Sequence, residues 1–180
     1  MNEAKKLAIL WAPWRIKYIE SPRVESCIFC VSSSEDRDRE NLVIYRGAHS
    51  FILMNKYPYN TGHLMVAPYR HVKDLISLRE DELLDIMKSV NMSIRVLNEA
   101  LRPEGFNIGI NMGRAAGAGI EDHVHVHVVP RWIGDTNFMP ILSNVKVIPE
   151  LLESTYDRLK KALSALLEGP IHENRDFYKK

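Results

Sequence analysis

The chain has 180 residues, 46% of them hydrophobic, and 24 basic side chains set against 23 acidic ones, for a formal net charge of +1. That size and composition suit one compact domain with tails, and the charge balance excludes binding nucleic acid or a membrane surface by bulk charge. No apolar run approaches membrane-spanning length, the apolar patch Leu7–Trp11 is too short for a cleavable signal, and only two cysteines occur, so a soluble cytoplasmic protein is expected.

Residues 1–26 are rich in Trp, Arg and Pro and read as an arm, with Trp11-Ala12-Pro13-Trp14-Arg15 as its packed part. Cys27 and Cys30 follow in CxxC spacing, which points to metal or redox chemistry. Ile28-Phe29 between them and the polar stretch 32–40 after them do not read as a helix opening a redox site. Three strands are predicted at 42–45, 50–54 and 63–66. Ser77-Leu78-Arg79-Glu80 has the pattern of a capping box, and Leu83, Met87, Val90, Ile94, Leu97 and Leu101 then recur at helical spacing up to Pro103 and Gly105. A strand is predicted over 106–112, followed by a glycine-rich loop, Gly113 to Gly119.

The next run is the most informative. In His123-Val124-His125-Val126-His127-Val128-Val129 the residues alternate, so an extended chain places the three histidines on one face and the valines on the other. Neighbouring histidines on that face are about 6.6–7 Å apart and the outer pair about 13 Å, so one metal ion shared by all three is improbable. A nucleophilic imidazole flanked by supporting groups fits better. A short strand at 145–148 and a second amphipathic helix from Pro149, with Leu151, Leu152, Tyr156, Leu159, Leu163 and Leu166 on one face, complete the chain before Gly169-Pro170. The expected class is α+β: an antiparallel sheet with one long and one C-terminal helix. The expected division is an arm 1–26, a catalytic domain 27–148, and a helix with tail 149–180.

This ordered set of motifs resembles the histidine-triad family, whose signature is His-apolar-His-apolar-His-apolar-apolar. Asn55 with Gly62-His63-Leu64-Met65-Val66, then Pro68-Tyr69-Arg70-His71, and Cys27-Ile28-Phe29-Cys30 extend the likeness over about residues 25–133. Gly117-Ala118-Gly119-Ile120 replaces the Gly-Gln-Ser/Thr of eukaryotic members. With Pro130-Arg131-Trp132 and Gly134 to Phe138 it is similar to the prokaryotic branch acting on diadenosine tetraphosphate.

The resemblance implies His125 as the nucleophile, with a backbone carbonyl holding its other ring nitrogen. It implies His127 at the phosphate or leaving oxygen and His63 in support. It places Asn55 at a ribose, Ile28, Phe29, Leu53 and Met65 around a base, and Asn111, Gly117, Gly119 and Ile120 near phosphate, with Arg114 as a substitute cation. Arg131 and Trp132 are expected either at a second phosphate or base, or as a strand-end cap. Cys27, Cys30, His71 and His123 are expected to bind structural zinc, and a divalent cation can accompany the substrate. The partners implied are an adenine nucleotide or dinucleoside polyphosphate and a second copy of the chain, sharing a continuous sheet. The reaction expected is cleavage at the α-phosphate with water or phosphate as acceptor; a nucleoside phosphoramidase, or a nucleotide-binding sensor with little turnover, is the alternative.

Overall fold

A computed structural model describes residues 27–32, 37–135, 148 and 150–168. The expected arm 1–26, most of the strand expected at 145–148, and Gly169-Pro170 with the tail lie outside those residues. The elements are α1 (Ile28–Ser32), β1 (Val43–Arg46), β2 (Ser50–Met54), β3 (Leu64–Pro68), α2 (Glu80–Leu101), β4 (Gly105–Ile110), β5 (Val126–Arg131) and α3 (Leu152–Glu168). The strands form one sheet in the order β1-β2-β3-β5-β4, with every neighbouring pair antiparallel. The expected α+β class and its two long helices are present.

The alternation of side chains divides the sheet into two chemistries. Ile44, Ile52, Met54, Leu64, Val66, Val124, Val126 and Val128 face α2 and α3 and join Val90, Val96, Leu97, Tyr156, Leu159 and Leu163 in the main core. The opposite face carries a smaller apolar cluster of Phe29, Val43, Phe51, Leu53, Met65 and Ala67. The valines between the histidines are thus core residues, as expected.

Helix α2 differs in two respects from the expectation. Its start is not capped by Ser77, because the Ser77 N–H and hydroxyl both donate to Asp74 Oδ1, at 2.9 and 2.6 Å. The helix begins two residues later, where Glu82 accepts the Arg79 N–H (2.8 Å) and is itself held by Arg70 at 2.7 and 2.9 Å. The buried stripe is also rotated. Val90 and Leu97 are buried, but Leu83 and Met87 are exposed and Ile86, Ser89 and Ser93 take the inner face. Buried serines are tolerated there because each is paired: Ser89 shares a 2.8 Å hydrogen bond with Ser50, and the Ser93 hydroxyl donates to the Ser89 carbonyl (2.9 Å). The helix ends at Arg102 in the left-handed conformation (φ 51°), with its N–H on the Asn98 carbonyl.

Gly62 closes the approach to β3 at φ +78°, and an added Cβ would meet Leu101 Cδ1 at 2.5 Å and Leu97 Cδ2 at 3.1 Å. The C-terminal turn of α2 therefore packs directly on the residue before His63, which only glycine allows.

Candidate active site and metal centre

The three histidines of the alternating run gather on the face opposite the long helices, although the regular strand begins only at Val126, so His123 and His125 sit on the extended approach to β5. Val124 is nonetheless anchored, its N–H donating to the Val72 carbonyl at 2.7 Å. His125 and His127 lie edge to face with centroids 4.7 Å apart. Register does the rest: β3 pairs with β5 so that Met65 opposes His127, which brings His63 alongside the row from the neighbouring strand. His63 Nε2 is 3.0 Å from His127 Nδ1.

Hydrogen bonds to the main chain set the ring protons. A carbonyl only accepts, so the 2.9 Å contact of His125 Nδ1 with the His123 carbonyl places a proton on Nδ1 and leaves Nε2 with its lone pair. His123 has the opposite arrangement: Nε2 donates to the Pro68 carbonyl (2.9 Å), so Nδ1 carries the lone pair. All of these rings are buried or half-buried. Burial, with the neighbouring His127 and His125, pushes His63 down to about 3 from an ordinary value of 6.5. Burial, with His125 adding to it, pushes His127 down to about 4. Burial also lowers His125, partly offset by its hydrogen bond to the His123 carbonyl. At neutral pH the site is therefore a set of uncharged imidazoles, one of them presenting a bare, nucleophilic nitrogen.

His123 Nδ1 faces the cysteines. Cys27 Sγ is 3.3 Å from it and Cys30 Sγ 3.8 Å, while Cys30 Sγ is 3.3 Å from His71 Nδ1. The four ligand atoms all lie within 4.8 Å of one another. Tetrahedral zinc with Zn–S near 2.3 Å and Zn–N near 2.0 Å separates its ligands by about 3.5 Å, so the donor set and its spacing fit a closed Cys₂His₂ site. The Pro68 carbonyl supplies the outer hydrogen bond that such a ligand histidine needs. Contrary to the reading of the CxxC segment, a helical turn, α1, does form there: Cys27 immediately precedes it and Cys30 lies within it. Arg46 holds the end of that turn by donating to the Ser32 carbonyl at 3.0 Å, and the turn drives Phe29 onto both His123 (5.0 Å) and His125 (4.8 Å).

Of the residues expected around a base, Phe29, Leu53 and Met65 are together in the cluster beside the histidines, with Ile120 packed against it. Ile28 lies apart, exposed on the rim. Asn55 is near His63, but its Oδ1 already accepts the Tyr57 N–H at 2.8 Å. Asn111, Gly117 and Gly119 lie on the connection between β4 and β5, where a 3₁₀ turn over Arg114–Ala116 ends at Gly117 with φ 79°. Arg114 projects from that turn, 92% exposed, in a loose 3.4 Å pair with Glu121.

Arg131 is committed elsewhere. Its guanidinium donates to both oxygens of Asp135 (2.6 and 2.9 Å) and to Asn107 (2.6 Å). Asn60 bonds the same carboxylate and the Pro130 carbonyl, each at 2.9 Å. Of its two expected roles, the strand-end cap is the one the geometry supports. Tyr59 was not singled out by the sequence, yet its ring packs at a tilt on His63 with centroids 4.6 Å apart and lies 5.7 Å from His127.

Comparison with known proteins gives this geometry a family. The chain is 41% identical over 163 residues to a Mycobacterium tuberculosis protein named AP-4-A phosphorylase, covering 86% of this chain and 84% of the relative. A zinc-bound histidine triad family protein from Mycobacterium smegmatis superposes with a TM-score of 0.62 at 28% identity, over 78% of this chain and 95% of the other. A histidine triad nucleotide-binding protein from Sulfolobus tokodaii gives 0.63 at 27% identity, over 78% and 93%. The HIT domain model matches residues 36–132, more than half of the sequence, and the chain belongs to the HIT domain family.

Proposed function

We propose that this protein cleaves dinucleoside polyphosphates of the diadenosine tetraphosphate type through a covalent nucleotidyl-histidine, with His125 as the nucleophile. The carrying observation is the His125 Nδ1 bond to its own chain's carbonyl two residues back. It fixes the tautomer whose Nε2 lone pair can attack the α-phosphorus. The name and extent of the M. tuberculosis relative support the substrate class.

In this reading Nε2 of His125 forms a bond to the α-phosphorus as the bond to the bridging oxygen breaks. His127 donates a hydrogen bond to the departing oxygen, and His63 supports His127. Water or phosphate then takes the nucleotidyl group and frees the imidazole. Phe29, Leu53, Met65 and Ile120 form the base side of the site, with Ile28 at its rim. Asn55 serves the ribose edge. Asn111, Gly117, Gly119 and Arg114 face the phosphates from the β4–β5 connection.

Cys27, Cys30, His71 and His123 hold zinc. The ion ties the turn at 27–32 to the approach of β5 and takes no part in the reaction. Cysteines that are not joined in a disulfide suit a reducing, cytoplasmic setting, and among the described residues no helix is long and apolar enough to cross a membrane. A second copy of the chain is the partner proposed. β4 is an edge strand with Asn107, Ile108 and Gly109 exposed, and Leu83, Leu84 and Met87 are exposed on α2.

The test is product analysis with diadenosine tetraphosphate, for the native protein and for His125→Ala. Loss of turnover by roughly a thousandfold or more, with folding and nucleotide affinity kept, is expected. ADP with ATP only when phosphate is present identifies phosphorolysis; AMP with ATP, asymmetric hydrolysis; ADP alone, symmetric hydrolysis. Unchanged turnover in the variant removes the nucleophile. No turnover by the native protein, with rapid cleavage of an adenosine phosphoramidate, replaces the substrate class.

A further inference from the structure

The peptide N–H of Tyr59 points at Nδ1 of His63, 3.1 Å away. A peptide N–H can only donate, so Nδ1 of His63 is the lone-pair nitrogen. Nδ2 of Asn55 lies 3.4 Å from the same atom, and its orientation is settled because Asn55 Oδ1 is taken by the Tyr57 N–H. A neutral imidazole has one ring proton, so that of His63 is on Nε2. That nitrogen is 3.0 Å from His127 Nδ1, which must then accept. The proton of His127 is thereby placed on its own Nε2.

We propose that Asn55 and the Tyr59 peptide together set the tautomers of His63 and, through it, His127, making Asn55 a positioning residue for the hydrogen-bond donor of the reaction. The last clause rests on the role given to His127 above; the proton positions do not. The turn has the parts this needs. Asn55 Oδ1 fixes the Tyr57 N–H. Pro58 then carries the chain with a fixed φ. The Tyr59 ring lies on His63, holding its own N–H in line. The titratable groups facing the pair are His125, 4.7 Å from His127, and the Tyr59 phenol. The low proton affinity of both rings keeps them uncharged at neutral pH, where each has a single ring proton.

The arrangement has a chemical consequence. His125 and His127 are the same residue type, two positions apart, yet their protons are on opposite nitrogens. One ring is held by a carbonyl and exposes a lone pair, while the other is held by an N–H donor and presents an N–H. A site that must push electrons at phosphorus and support negative charge on the leaving oxygen needs that opposition.

Two-bond 1H–15N correlation spectra of the ligand-free protein, labelled at histidine nitrogen and recorded near neutral pH, test this without substrate. The expected result is a proton on Nε2 of His63 and of His127, and on Nδ1 of His125. A proton on Nδ1 of His63 or His127 overturns the proposal, whatever the activity. In Asn55→Ala the single tautomer of His63 and His127 should give way to a mixture, and kcat should fall by roughly tenfold or more in addition to the rise in KM expected from the lost ribose contact. Unchanged spectra with a raised KM would mean that Asn55 serves only the ribose, and would also overturn it. Tyr57→Pro, which removes the N–H that Asn55 holds, gives the same reading should the alanine variant not fold. Failure of the His125 experiment would leave these spectra unaffected, so the two conclusions stand or fall separately.

Discussion

The Phe29 ring lies with its centroid 4.8 Å from the imidazole of His125, and Phe29 is carried between Cys27 and Cys30. The candidate metal centre and the proposed nucleophile are therefore in contact through one aromatic side chain. Removing the metal should loosen the turn that presses Phe29 into place. Chelation, or Cys30→Ser, is expected to lower the melting temperature and the activity together, and elemental analysis of reduced protein should show about one zinc per chain. A chelated protein that keeps both its melting temperature and its activity would rule out the clasp.

Gly62→Ala should be costly for a small change. The new methyl group would sit 2.5 Å from Leu101 Cδ1 at a backbone φ of +78°. Overpacking and the unfavourable φ together predict a loss of roughly 1–3 kcal/mol in denaturant unfolding. Because His63 is the next residue, activity should fall more than stability alone explains.

The pH dependence of stability follows from the two neutral rings. His63 is held down to about 3 and His127 to about 4, against 6.5 for the unfolded chain. Between those values the unfolded state binds more protons than the native one, so unfolding free energy rises with pH. The contribution is complete above about 6.5 and is lost as pH falls toward 4 and then 3. Chemical denaturation from pH 7.5 to 4.5 should show that slope, and His63→Gln should flatten it. An equal slope in the variant would assign the effect to other groups.

Arg131→Ala tests the cap directly. The guanidinium neutralises Asp135, whose side chain is only 7% exposed. Its loss leaves a nearly buried carboxylate with Asn60 and peptide donors alone, so the expected effect is a lower melting temperature with KM for the substrate within about twofold. A large rise in KM with unchanged stability would instead restore the phosphate-binding role.

Much of this was legible in the chain itself, and the reason is periodicity. The His-Val alternation announced both the core face and the reactive face, and a period of two leaves no other assignment once one face is apolar. The four side chains that come together as a candidate metal site were legible because each residue type is distinctive. What escaped is what side-chain identity does not encode. The start of α2 was displaced because Asp74 claims Ser77, a competition between two local hydrogen bonds that the pattern alone does not rank. The inner face of that helix could not be read from the apolar spacing alone, because Ser89 and Ser93 find partners inside, while Leu83 and Met87 remain outside. The two roles open to Arg131 in the sequence were separated only when Asp135, four residues on, was placed against it. The nearer donor to His63 is the Tyr59 peptide N–H, which leaves no mark in composition at all.

Two imidazoles of this site, His123 and His125, are oriented by carbonyl oxygens, one of Pro68 and one of His123 itself. Point substitution exchanges what branches from Cα and leaves the amide plane in place. The asymmetry between a ring with a bare Nε2 and a ring whose Nδ1 faces the cysteines thus rests on main-chain carbonyls, which an exchange of side chains leaves in place. Relatives can diverge widely in the surrounding loops and still inherit it, so long as the strand keeps its course.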